Sequence, residues 1–556
     1  MSIVREDKPY TGWKGFTNHW KNDIVAAISV SLVALPLSLA IAVAAGIPPI
    51  AGLITAVVGG LVTTFFRSGH VAINGPGAGL IGVILAAVLA LDDGSGPLQA
   101  YRYVLAAIVV AGALQVVIGL LKFGRIAEIF PTTVIHGILA SIGIIIFASQ
   151  MHVAMGTHSD AENTVGILAD IFYKIPEINP SIAIISGIGI ILLLFHARIS
   201  YKVFHFIPAP VWVLAIAVPI VIFYNYLETH QIAVFGEAFV APENYLISIP
   251  DNWKDGLVFP DFSKAHTGVF WMAVISINLL STVITLAGAK AVDQLDPYKR
   301  KTNLNRDLVG VGISSVISGA VGGIPVMTVI VRSTVNVHNN AKTKWSNFYH
   351  GVFIVLFVLL LTPVIQMFPK AALAAVLVIT GIKLASPRMF KEIYAQGLEQ
   401  TIFLLSTIII TLYKDPLIGL LGGMGITLIA HLLISRVSIT QFIQMILNSG
   451  TTLKENQDGS FSLKVKGIAN FLSMLRLIGL LEKIPNGVNL QVDLSKARLV
   501  DLTFQEKLVD FGRLHKLTGG KVQIIGLNQH VASSNHKLAL KSLILPNYQK
   551  TSPRQQ

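Results

Sequence analysis

Two short stretches decide how this chain is read: AINGPGAGL at residues 72–80 and GGIPVMTVIVR at residues 322–332. Each sets glycine and proline, the residues that break helices, into otherwise apolar text. Around them lie full-length apolar runs near 24–45, 50–66, 103–121, 131–150, 181–196, 207–224, 267–289, 305–322, 349–368, 371–386, 399–413 and 416–434. Each is long enough to cross a bilayer as a helix. The two broken segments stand third in the first seven and third in the second seven, giving about fourteen crossings or part-crossings. An odd number of helices per half inverts one half relative to the other. Interrupted helices at matching positions of two halves point to the central site of a transporter.

Composition agrees with a polytopic membrane protein. Of 556 residues, 53% are apolar and only 13% are charged, against roughly a quarter in soluble domains. A soluble chain of this length needs several charged shells, and these charges cannot supply them. Lys and Arg number 42 and Asp and Glu 29, a formal +13. In a membrane protein such an excess collects in cytoplasmic loops, so nucleic acid is not implied. Cysteine is absent, which excludes disulfides, thiolate metal sites and a cysteine nucleophile. The polar start carries no signal-peptide pattern.

The loops set the orientation. Segment 290–306 holds Lys290, Lys299, Arg300, Lys301 and Arg306, with smaller basic turns at Lys122/Arg125, Arg198/Lys202 and Arg388/Lys391. Segments 151–180 and 225–266 are acidic, through Asp160, Glu162, Asp170 and Glu177, then Glu228, Glu237, Glu243, Asp251, Asp255 and Asp261. The alternation places the N-terminus, the 290–306 loop and the C-terminal region in the cytoplasm, with the chain in the plasma (inner) membrane. The expected organisation is a cytoplasmic segment 1–22, a transmembrane domain 23–435 with repeats 23–225 and 265–435, a linker 436–455 read from SGTTLKENQDG, and a soluble domain 456–556.

The chemistry of the breaks favours an anion. A helix N-terminus leaves backbone N–H groups unpaired and carries about half a positive charge. Two such ends meeting at the bilayer midplane form an anion site without a basic side chain. Pro76 and Pro325 suit a first helical position, and the neighbouring glycines let backbone approach an ion.

At these residues the chain resembles the SulP family of inorganic anion transporters, the sulfate permeases. The resemblance runs through DIVAA at 23–27, ALPLSLA at 34–40, AGIPPIAGL at 45–53 and AINGPGAGL. It continues with AVDQLDPYKR at 291–300, NRDLVG at 305–310, the text from Gly322 to Asn336, and AKTK at 341–344. It implies a seven-plus-seven inverted repeat, an ion-carrying core moving against a gate that often dimerises, and a cytoplasmic STAS domain. In the tail, Ser462–Lys466, Val488–Leu494 and Lys521–Gly526 read as strands and Ile468–Lys483 and Thr503–Leu517 as helices, an alternating α/β pattern. Such a domain offers a surface for a cytoplasmic protein partner.

Carried onto matching positions, the family's site falls on Ala78 and Gly79 as backbone N–H donors with Gly77 as hinge. Opposite them stand Met327, Thr328 and Val329, with the Thr328 hydroxyl as a further donor. Ser38, after Pro36, either lines the cavity or packs helices. Arg332 either adds positive potential beside the anion or snorkels to the cytoplasmic face. Thr503 sits where related domains carry a phosphorylatable hydroxyl, or it caps the helix that follows.

One position departs from the family. Many relatives carry an acidic residue, in a Glu/Asp-[Ser/Thr]-Leu-Leu motif, nine positions before the Asp of the basic loop; counting back from Asp293 gives Ile284, and the similar text NLLS at 278–281 lies too early without an insertion. No Asp or Glu lies centrally in any span, so the coupling ion, sodium or proton, stays open; His136 is a titratable candidate. No resident cofactor is implied, and no P-loop suggests direct ATP drive. Nucleophile, metal cluster and carboxylate pair are missing from the spans, which argues against an enzyme. The expected function is secondary transport of sulfate or bicarbonate. The alternatives are a nucleobase carrier on the same architecture, an uncoupled anion channel, or a sensor signalling through its STAS domain.

Overall fold

The computed structural model describes residues 8–161, 163–199, 207–226, 230–234, 237–241, 245–447 and 450–543. Glu162, Lys202, Glu228 and Glu243, counted above among the loop charges, lie outside them. The first seven segments are α1 (Gly12–Ala44), α2 (Pro49–Leu61), α3 (Ile81–Leu91), α4 (Pro97–Leu120), α5 (Thr132–Met155), α6 (Pro180–Phe195) and α7 (Ala209–Phe223). The second seven are α8 (Gly268–Leu295), α9 (Leu304–Ala320), α10 (Ile330–His338), α11 (Trp345–Gln366), α12 (Lys370–Leu384), α13 (Leu398–Tyr413) and α14 (Pro416–Ser435). Their order is that of a seven-plus-seven inverted repeat. Among the described residues eight helices are long and apolar enough to span a membrane, while α3, α6, α7 and α13 are apolar but shorter. Helix α1 starts earlier than the apolar text suggests. The polar residues from Gly12 continue it because one face, with Trp13 and Phe16, packs its rings tilted and edge-on against Trp345 of α11.

The chain divides into two compact units. One holds the residues up to Gly124, Ile142–Leu384 and Asp415–Leu417; the other holds Arg125–Ser141, Ala385–Lys414 and the chain from Ile418. This division differs from the expected one, since the second unit joins part of α5, helices α13 and α14 and the C-terminal domain.

In the first unit glycines let helices touch at backbone distance. A methyl on Gly112 of α4 would come 2.9 Å from the Val316 nitrogen of α9, and one on Gly312 of α9 would come 2.8 Å from the Val116 nitrogen of α4. A methyl on Gly60 of α2 would come 2.5 Å from Cα of Gly351 on α11. Apolar lipid gives no hydrophobic drive between helices, so close backbone packing of this kind supplies the cohesion. Strand β1 (Asn74–Gly75) pairs antiparallel with β4 (Met327–Thr328), and a hairpin, β2 (His230–Val234) with β3 (Glu237–Ala241), stands between the halves in sequence.

In the second unit the C-terminal sheet comprises β5 (Thr452–Glu455), β6 (Phe461–Ala469), β7 (Leu490–Val500), β8 (Val522–Ile525), β9 (His530–Ala532) and β10 (Lys541–Leu543). Its order is β5-β6-β7-β10-β9 with β8 also on β7; β6, β7 and β8 run parallel. Parallel neighbours require crossovers, usually helical, and α16 (Met474–Leu481) and α17 (Leu502–Leu517) lie between them in the chain. Leu463, Leu477, Leu494, Phe504 and Leu508 fill the core.

The region 436–455 is not a linker. It carries α15 (Ile439–Leu447), whose Phe442 packs with Ile468, Leu499 and Leu540, and then strand β5. The Asn, Asp and Gly that suggested a linker form the β5–β6 turn, where the Gly459 N–H donates to the Asn456 carbonyl at 3.0 Å. The helix expected from Ile468 starts at Met474, because Ile468 and Ala469 extend β6 against β7.

Replacing Gly112 by Leu forces backbone apart along the whole α4–α9 seam. Overpacking costs about 1–3 kcal/mol or more, so the purified variant should unfold several degrees below the parent in a thermal melt. An unchanged melting temperature would contradict this packing.

Candidate functional site

The two interrupted segments meet. Asn74 is register partner of Thr328 and Gly75 of Met327. The Val329 N–H donates to the Ile73 carbonyl at 2.9 Å, and the Ile73 N–H to Oγ of Ser333, also at 2.9 Å. Unwound backbone at membrane depth must satisfy its own polar groups, and these two stretches do so against each other.

The bridge is braced by a polar relay. The Arg67 guanidinium donates through Nη1 to the Asn74 side-chain carbonyl and, at 2.6 Å, to the Ala72 carbonyl. Asn74 Nδ2 donates to Thr328 Oγ1 at 3.2 Å, and the Asn74 N–H to Asn347 Oδ1 at 2.9 Å. Asn347 Nδ2 reaches the Gly59 carbonyl at 2.9 Å and Thr64 Oγ1 at 3.0 Å. Arg67 pairs with Asp307 at 3.9 Å, both without exposed side chain. A buried charge of this sort is tolerated only when paired and hydrogen-bonded.

The helix starts differ in detail from expectation. A short 3₁₀ turn, Ala78–Leu80, leads into α3, and the Leu80 N–H bonds the Gly77 carbonyl. The N–H groups of Ala78 and Gly79 therefore stand at a helix start, on half-buried residues. On the other side Met327 and Thr328 are in β4, and Val329 is the N-cap whose N–H is already donated to Ile73. The first-turn N–H groups there belong to Ile330, Val331 and Arg332. Pro76 and Pro325 precede the helices and occupy no first helical position, since they lie in the extended chain that forms the bridge. Gly77 has extended backbone, φ −122°. Its need for glycine is one of space, because any Cβ would run into the Met327 thioether.

Ser38 and Arg332 come together. The Arg332 guanidinium is fully buried and donates through Nη2 to Ser38 Oγ at 3.0 Å, so it does not snorkel outward. Its Nη1 would stand 2.8 Å from a Cβ on Gly75. Among the described residues, Nε and Nη1 of Arg332 have no hydrogen-bond partner. Ser38 is held from behind by Gly52, where a Cβ would collide with the Ser38 carbonyl. Ile284 of α8 faces the first helix start: a Cβ on Gly79 would come 2.9 Å from its Cδ1. One turn along α8, a Cβ on Gly288 would come 2.8 Å from the Thr328 carbonyl.

The crossing thus carries a helix start on each strand, and beside it stand the Arg332 guanidinium, with two nitrogens unpartnered among the described residues, and the Ser38 hydroxyl; groups of these kinds suit a small anion. Sequence reasoning set the second helix start at Met327–Val329 where it begins at Ile330, and it missed Arg67, Asn74 and Asn347 as supports of the crossing. Only the Asn and Arg in near-apolar text hinted at the latter.

The remaining candidates lie in the second unit. Asp501, not Thr503, caps α17: its Oδ1 accepts from the Phe504 N–H at 2.7 Å and its Oδ2 from the Phe471 N–H at 2.9 Å. Burial pushes the Asp501 carboxyl up to about 7 despite those donors. Thr503 Oγ1 accepts from the Thr132 N–H at the start of α5, 3.2 Å away. Burial raises the Glu506 carboxyl, with the Thr132 hydroxyl opposing. His136 borders a cavity of about 60 Å³ with Thr132, Glu392 and Glu506.

A family model described as the sulfate permease family matches residues 20–407. A Bacillus subtilis (strain 168) protein named for sulfate transport, YvdB, is 26% identical over 538 residues, covering 95% of this chain and 96% of that one. The bicarbonate transporter BicA of a Picosynechococcus species is 24% identical over 428 residues, 76% of this chain and 72% of its own. The solved transmembrane domain of a cyanobacterial BicA superposes with a TM-score of 0.61 at 21% identity, covering 72% of this chain and 97% of that one. The overall structure of SLC26A9 gives 0.63 at 14% identity, covering 92% and 85%.

Asn74→Leu removes the bond to Thr328 and strands a buried arginine donor. An unsatisfied buried group costs about 1–3 kcal/mol, so the variant should melt several degrees lower and lose anion binding. A parent-like melt together with parent-like binding would show that the relay supports nothing.

Proposed function

The chain belongs to the sulfate permease family, and from that membership we propose that it is a secondary transporter of a small inorganic oxyanion, sulfate or bicarbonate. The observation that carries this is Arg332, fully buried between Ser38 and the crossing of the two interrupted segments with two nitrogens unpartnered among the described residues. An anion seated between the starts of α3 and α10 takes backbone N–H groups from Ala78, Gly79, Ile330 and Val331. It takes charge from Arg332 and a hydroxyl from Ser38. The Thr328 hydroxyl accepts from Asn74 and keeps its own O–H to donate, while the Met327 side chain lies on Gly77. The relatives named for sulfate and for bicarbonate fit this chemistry.

Alternating access needs no hydrolysis in such a design: a bound anion changes the cost of moving the site past its surroundings. The positive turns at 122–125, 290–306 and 388–391 support a cytoplasmic N-terminus and C-terminal domain in the plasma (inner) membrane. The C-terminal sheet supports a STAS domain open to a cytoplasmic partner, and the fold supports a homodimer. A nucleobase carrier calls for carboxylates on the eighth and tenth helices, where this chain has Ile284 and Arg332.

Proteoliposomes holding the purified protein should take up labelled sulfate or bicarbonate above protein-free vesicles. Absence of flux for both anions would refute the proposal. Gly79→Leu places a side chain against Ile284 at the helix start. It should cut uptake more than about tenfold, a loss of over about 1.4 kcal/mol, while the protein still reaches the membrane; parent-like uptake would misplace the site.

A further inference from the structure

Within the second unit, the C-terminal domain caps a membrane helix. Helix α5 begins at Thr132, and a helix start leaves N–H groups that need acceptors. The acceptor here comes from α17: Thr503 Oγ1 takes the Thr132 N–H at 3.2 Å across 371 residues of chain. From the next turn of α17 the Glu506 carboxyl accepts the Thr132 hydroxyl. Around this contact Lys507 pairs with Glu128 at 2.9 Å, and Ser534 Oγ donates to the Gln396 carbonyl at 2.9 Å. The contact encloses the cavity of about 60 Å³ whose lining includes Thr132, His136, Glu392, Gln396, Leu502 and Glu506. A polar cavity of that size admits water, and with it protons.

Glu506 stands here among like charges. On α17 itself, Asp501 interacts with it from the helix cap and Asp510 from one turn further on. Glu392 faces the same cavity from the short helix Pro387–Gln396, and His136 faces it from α5. Of the basic groups on these elements, Arg388 pairs with Glu392 at 2.9 Å and Lys507 with Glu128. Burial first, and then the Asp510 charge, raise the Glu506 carboxyl from its ordinary value, with the Thr132 hydroxyl opposing. Parted from α5, the same carboxyl meets water. Docking therefore takes up a proton, and a bound proton favours docking.

We propose that this junction is a proton-operated latch: a proton on Glu506 holds the start of α17 against the start of α5, and its loss to cavity water lets the two part. The latch is closed at pH below the ordinary carboxylate value and opens as pH rises through the raised one. In the orientation proposed above it faces the cytoplasm, so acidity there reaches a membrane helix through the C-terminal domain. It does not depend on which ion the protein carries.

The chain has no cysteine, so Arg513→Cys on α17 and Lys391→Cys on the helix Pro387–Gln396, both at exposed positions, place two nitroxide labels uniquely in the full-length protein. Double electron–electron resonance on reconstituted protein frozen between about pH 5 and about pH 9, a range that spans ordinary and raised carboxyl values, should give one distance in acid and a growing longer one as pH rises. A single unchanging distance overturns the latch. Glu506→Gln imitates the protonated acid and should keep the short distance at every pH. A parent-like pH profile in that variant assigns the proton to another group and overturns the role of Glu506. The long distance at every pH would show that the charged carboxylate holds the contact, which also overturns it. Should Glu506→Gln fail to fold, Asp510→Asn removes the neighbouring like charge and should move the opening to lower pH; an opening that stays in place or moves upward overturns the assignment to Glu506.

Discussion

The short antiparallel pairing of Asn74–Gly75 with Met327–Thr328 is the contact on which the rest of the transport unit depends. Non-helical backbone at membrane depth survives only when its N–H and C=O groups find partners inside the protein. Each interrupted segment is the partner of the other, so neither break is tolerable alone. Once the strands pair, the chain on each side turns into a helix whose start points back toward the crossing. The same few hydrogen bonds that make the breaks tolerable also fix where a helix begins on each strand of the crossing.

The surroundings of the crossing follow from that requirement. Arg67, held by Asp307, reaches under it to Asn74; Asn347 grips Asn74 from α11; Ser333 returns a bond to Ile73. These groups are buried and joined in one network, which makes the crossing rigid. Arg332 stands apart from this pattern. It is equally buried, and like Arg67 it leaves two nitrogens without a hydrogen-bond partner, but where Arg67 has Asp307 beside it, Arg332 bonds only the neutral Ser38 hydroxyl among the described residues. A buried guanidinium held by one neutral hydroxyl is the ground on which an anion seat is proposed there.

Much of the architecture was legible beforehand, and the reasons are local. Apolar runs of spanning length coincide with α4, α6, α8 and α13 to within a few residues at most ends, because apolarity and helix propensity are written along the chain. Errors fell where local text served another purpose. Asn456, Asp458 and Gly459 look like a linker but make a hairpin turn. Ile468 looks like the start of an amphipathic helix but completes a strand paired with β7. Thr503 looks like a helix cap, yet Asp501 takes that role and leaves the Thr503 hydroxyl for the Thr132 N–H.

By itself, the sequence determined that the chain spans a membrane many times, that it breaks twice at equivalent places, and that no carboxylate stands in mid-span. Those are properties of composition and order, which need no knowledge of contacts. The tertiary structure alone decided which groups share the site. Asn74 and Thr328 are 254 residues apart and Ser38 and Arg332 are 294 apart. Partnerships over such distances leave no period or motif behind. They arise only when helices packed through Gly52, Gly60 and Gly351 bring backbone close enough for those side chains to meet.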